Sequence, residues 1–312
     1  MGLELVAAVD VGGTKTAAAL VGRDGALVAR LETATPASLG STAILDTVAG
    51  LVGRLAAAEG GTVGAVGVGT AGVVDADGVV VGATDALNGW VGTDVRAGLQ
   101  ARMEVPVTVV NDVHAHGLGE ATYGVGRGHR RVLTVAVGTG IGGAVVDDGV
   151  LDRGRHGAAG HVGHLPCPQA ETLACSCGAT GHLEAFASGP ALAREHARRT
   201  GGTAGDLRAV AAAAAAGDTT AGDLLADGGH AVGEALAGLV NVLDPDVVVV
   251  GGGVASIGGT WWAALTRAAA AGVLPLLRDV PVLRSEIGAT AALLGAAALV
   301  RTNAKEVAAW TR

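Results

Sequence analysis

The stretch Asp10-Val-Gly-Gly-Thr-Lys-Thr16 follows directly on the apolar run Leu5-Val-Ala-Ala-Val9. A strand is therefore expected to deliver a carboxylate into a glycine turn. Gly12 and Gly13 can adopt backbone angles that are closed to other residues, which lets consecutive N–H groups converge on phosphate oxygens. The pattern predicts a loop that binds the phosphates of a nucleotide.

The side chains of this turn suit the same chemistry. Thr14 and Thr16 offer hydroxyl donors, and Asp10 is expected to hold a Mg²⁺-bound water. The alternative is a tight hairpin with solvated polar side chains, because a lone glycine motif is weak evidence.

A second stretch repeats this arrangement further along the chain. The apolar run 132–137 leads into Gly138-Thr-Gly-Ile-Gly-Gly143, and the apolar run 144–146 follows. Two such loops suggest a nucleoside triphosphate held from two sides, as in the actin, hexokinase and Hsp70 type of ATPase. No Gly-x-x-x-x-Gly-Lys-Ser/Thr motif occurs, and the first loop lacks the Gly-x-Gly-x-x-Gly spacing of dinucleotide folds. The predicted fold class is α/β, an actin-like two-domain ATPase.

Composition limits the class of protein. The length of 312 residues predicts about two domains, and with 50% apolar but only 2% aromatic residues the core must consist of Ala, Val and Leu. No stretch reaches the ~18 uninterrupted apolar residues of a membrane span, and the N-terminus carries no signal-peptide pattern, so we expect a cytoplasmic protein with no membrane partner. A net charge of −8 offers no field for nucleic acid. ATP would be held locally, by amides, helix N-termini and Mg²⁺.

Hydrophobic periodicity predicts alternating strands and helices. Residues 1–112 are expected to form a small α/β domain, to which a C-terminal helix of about residues 298–312 returns. Residues 113–297 are expected to form a larger α/β domain that carries a cysteine-containing loop over 156–184. The predicted strands are 4–9, 17–22, 26–32, 63–68, 105–110, 131–137, 143–147 and 246–250, with a turn at Arg23-Asp-Gly25. The predicted helices are 41–58, capped by Ser41 or Thr42, then 94–102, an alanine-rich stretch over 206–242, and 290–300.

The pair Asn111-Asp112 follows the predicted strand 105–110, at the end where α/β proteins place ligands. Phosphoryl transfer needs a carboxylate that accepts the proton of the acceptor hydroxyl. Asp112 suits that role, with Asn111 orienting a neighbouring hydroxyl. An Asn-Asp cap at the start of a helix is the structural alternative, and both roles are compatible.

The three cysteines lie within a short segment, which is unsuited to a disulfide framework and suited to a metal site. Two of these cysteines and the two histidines that flank the segment make a Cys2His2 set compatible with tetrahedral zinc. Free buried thiols are the alternative. Cys167 is an alternative ligand, but its neighbours Pro166 and Pro168 predict a constrained surface turn instead. The predicted ligands are His164, Cys175, Cys177 and His182.

Taken in order, the motifs resemble the ROK family (repressors, open reading frames and kinases) over nearly the whole chain. They are Asp-x-Gly-Gly-Thr-Lys, the Asn-Asp pair, Gly-Thr-Gly-x-Gly-Gly, Gly-x-x-Gly-x-x-Gly-His, Cys-x-Cys-Gly-x-x-Gly-x-x-Glu and Leu-x-Pro-x-x-Val-Val-x-Gly-Gly-Gly. The resemblance implies an actin-like (ribonuclease H-like) sugar kinase that uses ATP and Mg²⁺, contains structural zinc and forms a homodimer or homotetramer.

Site residues follow from the same resemblance. It implies that Asp112 is the catalytic base of a 6-phosphotransferase acting on a hexose or amino-hexose. The implied ATP-binding residues are Asp10, Gly12, Gly13, Thr14, Lys15, Gly138, Thr139, Gly140, Gly142, Gly252 and Gly253. The implied sugar-binding residues are Gly72, Asn111, Asp112, His164 and Glu184. Asn88 and His161, which depart from the family pattern, are added to this set.

Three positions depart from the family pattern. The third cysteine of the family's zinc-binding loop is replaced by His182 here, and zinc also binds imidazole. A sugar-contacting glutamate is replaced by His161, which resembles N-acetylmannosamine kinases rather than glucokinases. The asparagine of glucokinases falls on Ala86 in the stretch Asp85-Ala-Leu-Asn-Gly-Trp90, and Asn88 is displaced by two residues. The substrate is therefore left open among glucose, N-acetylmannosamine and related sugars.

A different class of function, the sugar-sensing regulator, also occurs in this family. A repressor would carry a DNA-binding domain ahead of the kinase-like body, whereas the first loop begins here at residue 10. A sugar-binding regulator without catalysis is disfavoured because Asp10 and Asp112 are both present. An ATP-dependent sugar kinase is the preferred interpretation.

Overall fold

The computed structural model describes residues 5–22, 24–84, 86–203 and 205–310, with side chains up to residue 301. Four parts of the predictions lie partly outside these residues: Glu4 of the first strand, Arg23 of the turn, Asp85 of the stretch 85–90, and residues 311–312 of the last helix. The strands are β1 (Leu5–Val11), β2 (Lys15–Val21), β3 (Leu27–Ala34), β4 (Val63–Thr70), β5 (Val73–Val74), β6 (Val80–Gly82), β7 (Val107–Asn111), β8 (Arg131–Val137), β9 (Ile141–Asp147), β10 (Val150–Asp152), β11 (Val247–Gly251) and β12 (Val282–Arg284). The α-helices are α1 (Ser41–Glu59), α2 (Val95–Met103), α3 (Asp112–Tyr123), α4 (Leu183–Ala187), α5 (Gly189–Thr200), α6 (Leu207–Ala215), α7 (Thr219–Leu243), α8 (Gly252–Ala255), α9 (Gly259–Gly272) and α10 (Ala291–Trp310).

These elements divide into two compact units. Unit 1 comprises Met1–Arg130, Ala144–Gly160 and Ile287–Arg312, and unit 2 comprises Arg131–Gly143 and His161–Glu286. The predicted boundary after residue 112 differs from this division, because α3 packs on α10 and β4 and so remains in unit 1.

The sheet of unit 1 has the order β3-β2-β1-β4-β7. Strand β1 pairs antiparallel with β2 and parallel with β4, which pairs parallel with β7. In this register Val11 lies beside Thr70, and Thr70 lies beside Asn111. The first glycine loop and the Asn-Asp pair therefore follow strands that end at the same edge of the sheet.

Helix α1 contributes Ile44, Leu51 and Leu55 to a core with β1, β4 and β7. Among the described residues it is the one helix whose length and composition would allow a membrane span. Asp46 and Arg54 lie on it, and its apolar side chains pack into the protein core, so it is a core helix.

Helix α10 packs against α3 and β4 with almost no intervening side-chain volume. A Cβ atom at Gly295 would meet the carbonyl of Ala115, one at Gly119 the carbonyl of Ala291, and one at Gly67 the carbonyl of Ala296. Backbone rests on backbone at all three contacts. This packing fixes α3, which begins at Asp112.

Unit 2 is built around the parallel strands β8, β11 and β12, and the whole second sheet has the order β10-β9-β8-β11-β12. Strand β11 is buried throughout, which agrees with its continuous valine run. Gly251, the last residue of β11, lies beside Ala136 of β8. The loops that follow these two strands therefore leave the sheet side by side.

Two predicted helix boundaries were wrong. The N-cap of α1 is Gly40, whose φ of 84° lies in the left-handed region, rather than Ser41 or Thr42. The stretch 206–242 is not one helix but two, because α6 ends before Gly217, with a φ of 98°, and Asp218 caps α7 through the amide of Ala221. The alanine composition favours helix without revealing this interruption.

Candidate active site and metal centre

The first glycine loop is anchored from within unit 1. The amide of Gly12 donates to the carbonyl of Lys15 at 3.1 Å, and the Thr35 hydroxyl donates to the Gly12 carbonyl at 2.7 Å. The hydroxyl of Thr16 is buried, 2.9 Å from that of Thr35. Thr16 was expected to offer a donor to phosphate, but it faces the interior, whereas Thr14 is exposed.

Asp10 lies at the entry to this loop and is partly buried. Burial, followed by the negative charge of Asp112, raises its pKa from 3.8 to about 6, against the opposing effects of Lys15 and Arg30. Asp10 lies beside Gly69 of β4, and a Cβ atom at Gly69 would lie 3.4 Å from Cα of Asp112, so the two carboxylates share one neighbourhood within unit 1. Such a pair favours a bound cation, because a cation offsets the repulsion between the carboxylates.

The side chain of Asn111 caps α3 and orients Asp112. Its oxygen accepts from the amides of Val113 at 2.9 Å and His114 at 3.2 Å. Its Nδ2 donates to Oδ1 of Asp112 at 2.8 Å and to the carbonyl of Gly72 at 3.0 Å. The capping alternative raised from the sequence is therefore present, and the same side chain also holds the carboxylate of Asp112.

Gly72 connects this pair to the loop after β4. It has a φ of 102°, and a Cβ atom there would lie 2.6 Å from the carbonyl oxygen of Gly82. Both facts require glycine at this position. The carbonyl that receives the Asn111 amide is held in place as a result.

The stretch 86–90 lies against the first loop. Ala86 approaches within 3.1 Å of the position that a Cβ atom of Gly13 would occupy. The amide of Asn88 donates to the Ala37 carbonyl at 2.9 Å, and its Nδ2 lies 3.4 Å from the Ser38 carbonyl. Trp90 is buried, and its indole N–H donates to the hydroxyl of Thr70 at 3.1 Å. The position counted from the family pattern, Ala86, is thus the one beside the glycine loop.

The second glycine loop, between β8 and β9, is held within unit 2. The amide of Gly138 donates to Gly140 at 2.8 Å, and the Gly138 carbonyl accepts from Gly189 at 2.9 Å. The amide of Ile141, where β9 begins, donates to Oε2 of Glu184 at 2.8 Å. Glu184, predicted as a sugar ligand, therefore supports the second glycine loop.

The two predicted nucleotide-binding segments of unit 2 lie together. Gly252 has a φ of 89°, and a Cβ atom there would meet the backbone of Val137. A Cβ atom at Gly138 would lie 4.0 Å from the amide nitrogen of Gly253. The glycine turn after β11 thus borders the loop after β8.

Three histidines form a group beside the cysteine loop. The rings of His161 and His164 stack with centroids 6.0 Å apart, and His182 meets His164 edge-on at 5.2 Å. Burial lowers the pKa of His164, with smaller lowering by His161 and His182, while Glu184 opposes the shift. A neutral imidazole is the form that binds a metal.

The four predicted metal ligands converge. The donor atoms of His164, Cys175, Cys177 and His182 all lie within 4.8 Å of one another. Nδ1 of His164 is 3.6 Å from Sγ of Cys175, and Nδ1 of His182 is 3.2 Å from Sγ of Cys177. Adjacent sulfur and nitrogen ligands of a tetrahedral zinc ion are about 3.5 Å apart, so this donor set fits the ion.

Cys167 does not join this group. Its thiol is buried and donates to Oε1 of Gln169 at 3.1 Å, and burial raises its pKa. Ser176 is a functional candidate that the sequence did not reveal, since it occupies the unspecified position of the Cys-x-Cys motif. Its hydroxyl donates to Oε1 of Glu184 at 2.7 Å.

Comparison with known proteins agrees with this geometry. The model of the ROK family matches residues 6–303. A glucokinase of Streptomyces coelicolor is 34% identical over 278 residues, which cover 83% of this chain and 84% of that protein. An N-acetylmannosamine kinase of Shigella boydii is 34% identical over 296 residues, which cover 94% of this chain and 97% of that protein.

A solved structure shows the same fold. The ROK family glucokinase of Streptomyces griseus, crystallised with glucose and AMPPNP, is 32% identical with a TM-score of 0.83 and covers 96% of this chain and 99% of that chain. The two α/β units and their mixed sheets are those of an actin-like ATPase. The chain belongs to the ROK family, and these relatives are sugar kinases.

Proposed function

We propose that this protein is an ATP-dependent kinase that phosphorylates the 6-hydroxyl of a hexose or amino-hexose. The observation that carries the proposal is the placement of Asp112. It begins α3 directly after β7, its carboxylate is held by Asn111, and it shares its neighbourhood with Asp10 of the first glycine loop. A base, a phosphate loop and a cation-favouring carboxylate pair thus belong to one unit.

The reaction assigns a role to each group. Asp112 accepts the proton of the sugar 6-hydroxyl as that oxygen forms its bond to the γ-phosphorus. The bond from this phosphorus to the β–γ bridging oxygen breaks, and ADP leaves. Bound Mg²⁺ supplies positive charge that neutralises the phosphates. Amides of the two glycine loops and of Gly252 and Gly253 are proposed to bind the nucleotide.

The proposed sugar ligands are the residues that the family pattern indicates. In unit 1 the proposed ligands are Gly72, Asn88, Asn111 and Asp112. In unit 2 they are His161, His164 and Glu184. His161 offers one donor and one acceptor where a glucokinase carries an anionic acceptor, so we propose a preference for an N-acetylated, amino or mannose-configured hexose over glucose.

The cysteine and histidine group is proposed to hold structural zinc. Four protein ligands leave no open position for a reacting water. Residues 171–181 are mostly exposed, with Cys175 buried, so the ion would stabilise a loop that has little core of its own. A homodimer or homotetramer is proposed as the assembly.

The proposal is tested by a coupled ADP-release assay with glucose, mannose, N-acetylmannosamine, N-acetylglucosamine, fructose and amino-hexoses. We expect Mg²⁺-dependent ADP formation with at least one of these sugars, together with a product that NMR identifies as the 6-phosphate. Sugar binding by calorimetry without ADP release from any of them would instead support the regulator. Light scattering on the same protein measures the assembly.

A further inference from the structure

The hydrogen bond between Ser176 and Glu184 joins the proposed zinc-binding loop of unit 2 to a proposed sugar ligand. Ser176 lies between Cys175 and Cys177, two of the proposed zinc ligands. Its hydroxyl donates to Oε1 of Glu184 at 2.7 Å. A hydrogen bond to a carboxylate is stronger than one between neutral groups.

The second oxygen of Glu184 reaches the glycine loop. Oε2 accepts from the amide of Ile141 at 2.8 Å. A Cβ atom at Gly140 would lie only 2.6 Å from this oxygen, so the carboxylate and the loop backbone are in close contact. Both oxygens of Glu184 therefore accept hydrogen bonds, Oε1 from Ser176 of the cysteine-containing loop and Oε2 from Ile141 at the end of the second glycine loop.

Ile141 is also held from its carbonyl side. A Cβ atom at Gly163 would meet this carbonyl, and Gly163 lies in the short 3-10 turn Val162–His164 that ends in a proposed zinc ligand. The position of the loop at Ile141 thus depends on both the Glu184 carboxylate and the turn. Without a partner for Oε1, the carboxylate would be free to rotate away from the amide.

We propose that Ser176 is a positioning residue that fixes the Glu184 carboxylate and, through it, the Ile141 end of the second phosphate loop. The serine acts through the glutamate and does not itself contact substrate. Its kinetic consequence rests on the proposed kinase function, while its structural consequence does not.

The test compares Ser176→Ala with Ser176→Thr, which retains a hydroxyl, and with Thr180→Ala, which removes a hydroxyl from the same loop. Hydrogen exchange of the peptide that covers residues 138–143 is followed by mass spectrometry. We expect the Ile141 amide to exchange about three- to tenfold faster in Ser176→Ala. Ser176→Thr and Thr180→Ala should retain the wild-type rate. Zinc content should equal that of the wild type in all three.

Kinetics provide the second arm. Ser176→Ala should raise the KM for sugar or nucleotide about three- to tenfold, with a smaller change in kcat, and it should have no further effect in a Glu184→Ala background. Unchanged exchange at Ile141, loss of zinc from Ser176→Ala, or an additive effect in that background would each overturn the proposal. If Ile141 exchanges faster in Ser176→Ala but the wild-type protein phosphorylates no sugar, the positioning role is supported and the kinase function is refuted.

Discussion

Nδ2 of Asn111 donates to Oδ1 of Asp112 at 2.8 Å, and the oxygen of the same amide caps the helix that Asp112 begins. One side chain thus fixes both the helix start and the carboxylate. The Asp112 carboxylate is therefore held in part by its own neighbour in sequence. Replacement of Asp112 should remove its chemistry without disturbing the helix.

Asp112→Asn should lower kcat by about 10² to 10⁴ while sugar affinity is retained, because an amide cannot accept the hydroxyl proton. Steady-state kinetics and calorimetric sugar titration make the measurement. Asp46→Asn, which removes a carboxylate paired with Arg102 on the surface, is the control and should leave kcat unchanged. An Asp112→Asn enzyme with more than about a tenth of wild-type kcat would show that another group is the base.

Stability should depend on the ionisation of Asp10. Its pKa is about 6 in the folded protein and 3.8 in the unfolded chain, so the folded state binds more protons between these pH values. The free energy of unfolding contributed by this group is therefore full below pH ~4 and falls as pH rises through ~6. Asp10→Asn removes this loss and should gain up to about 3 kcal/mol at pH 7.5 relative to its effect at pH 4.

Urea unfolding at both pH values, without nucleotide or Mg²⁺, measures this difference. Asp223→Asn, at an exposed position of α7, controls for the change in net charge. A gain for Asp10→Asn that is equal at the two pH values would remove ionisation as the cause. The same variant should be a poor kinase, because Asp10 is proposed to support Mg²⁺.

One zinc ion per chain is expected in protein purified without added metal. Cys177→Ser should lose it and lower Tm, whereas His182→Cys should keep it, since thiolate and imidazole both bind zinc. Cys167→Ser is the matched control because this thiol contacts Gln169 and lies outside the ligand group. Elemental analysis decides the matter. A wild-type stoichiometry near zero, or a Tm unaffected by strong chelator, would contradict the zinc site.

His161→Glu should move sugar preference toward glucose. A carboxylate is an acceptor-only anion suited to a pair of sugar hydroxyls, whereas imidazole can meet the carbonyl of an N-acetyl group. The ratio of kcat/KM for glucose to that for the best alternative sugar should rise at least about tenfold. His156→Glu makes the same charge change at an exposed position and should leave the ratio unaltered. An unaltered ratio in His161→Glu would locate selectivity elsewhere, and the stretch around Ala86 would be the next to test.

The sequence predicts those parts of the site that arise from consecutive residues. Both glycine loops and the Asn111-Asp112 pair follow apolar strands, and such strands end where ligands bind. The donor atoms of the four proposed metal ligands do lie together, because cysteine and histidine side chains close together in sequence need little folding to meet. Family membership, inferred from the order of the motifs, is confirmed.

Contacts between distant residues were not predictable in the same way. In the sequence, Thr16 looks like a hydrogen-bond donor to phosphate. Strand alternation and its hydrogen bond with Thr35 instead turn its hydroxyl into the interior. Ser176 occupies a motif position with no chemical requirement, and its bond to Glu184 depends on how the loop closes. The interruption before α7 depends on the backbone angle of Gly217, which composition does not report.

The backbone contacts between α10 and its neighbours have a consequence for laboratory evolution. Gly67, Gly119 and Gly295 accept no side chain, so a saturation library at these positions should contain almost no folded members beyond the parent. A side chain at Gly119 or Gly295 would displace the helix that begins at Asp112, and one at Gly67 would displace α10, on which that helix packs. Libraries aimed at new sugars should therefore leave these three codons constant and spend their diversity at His161 and Ala86.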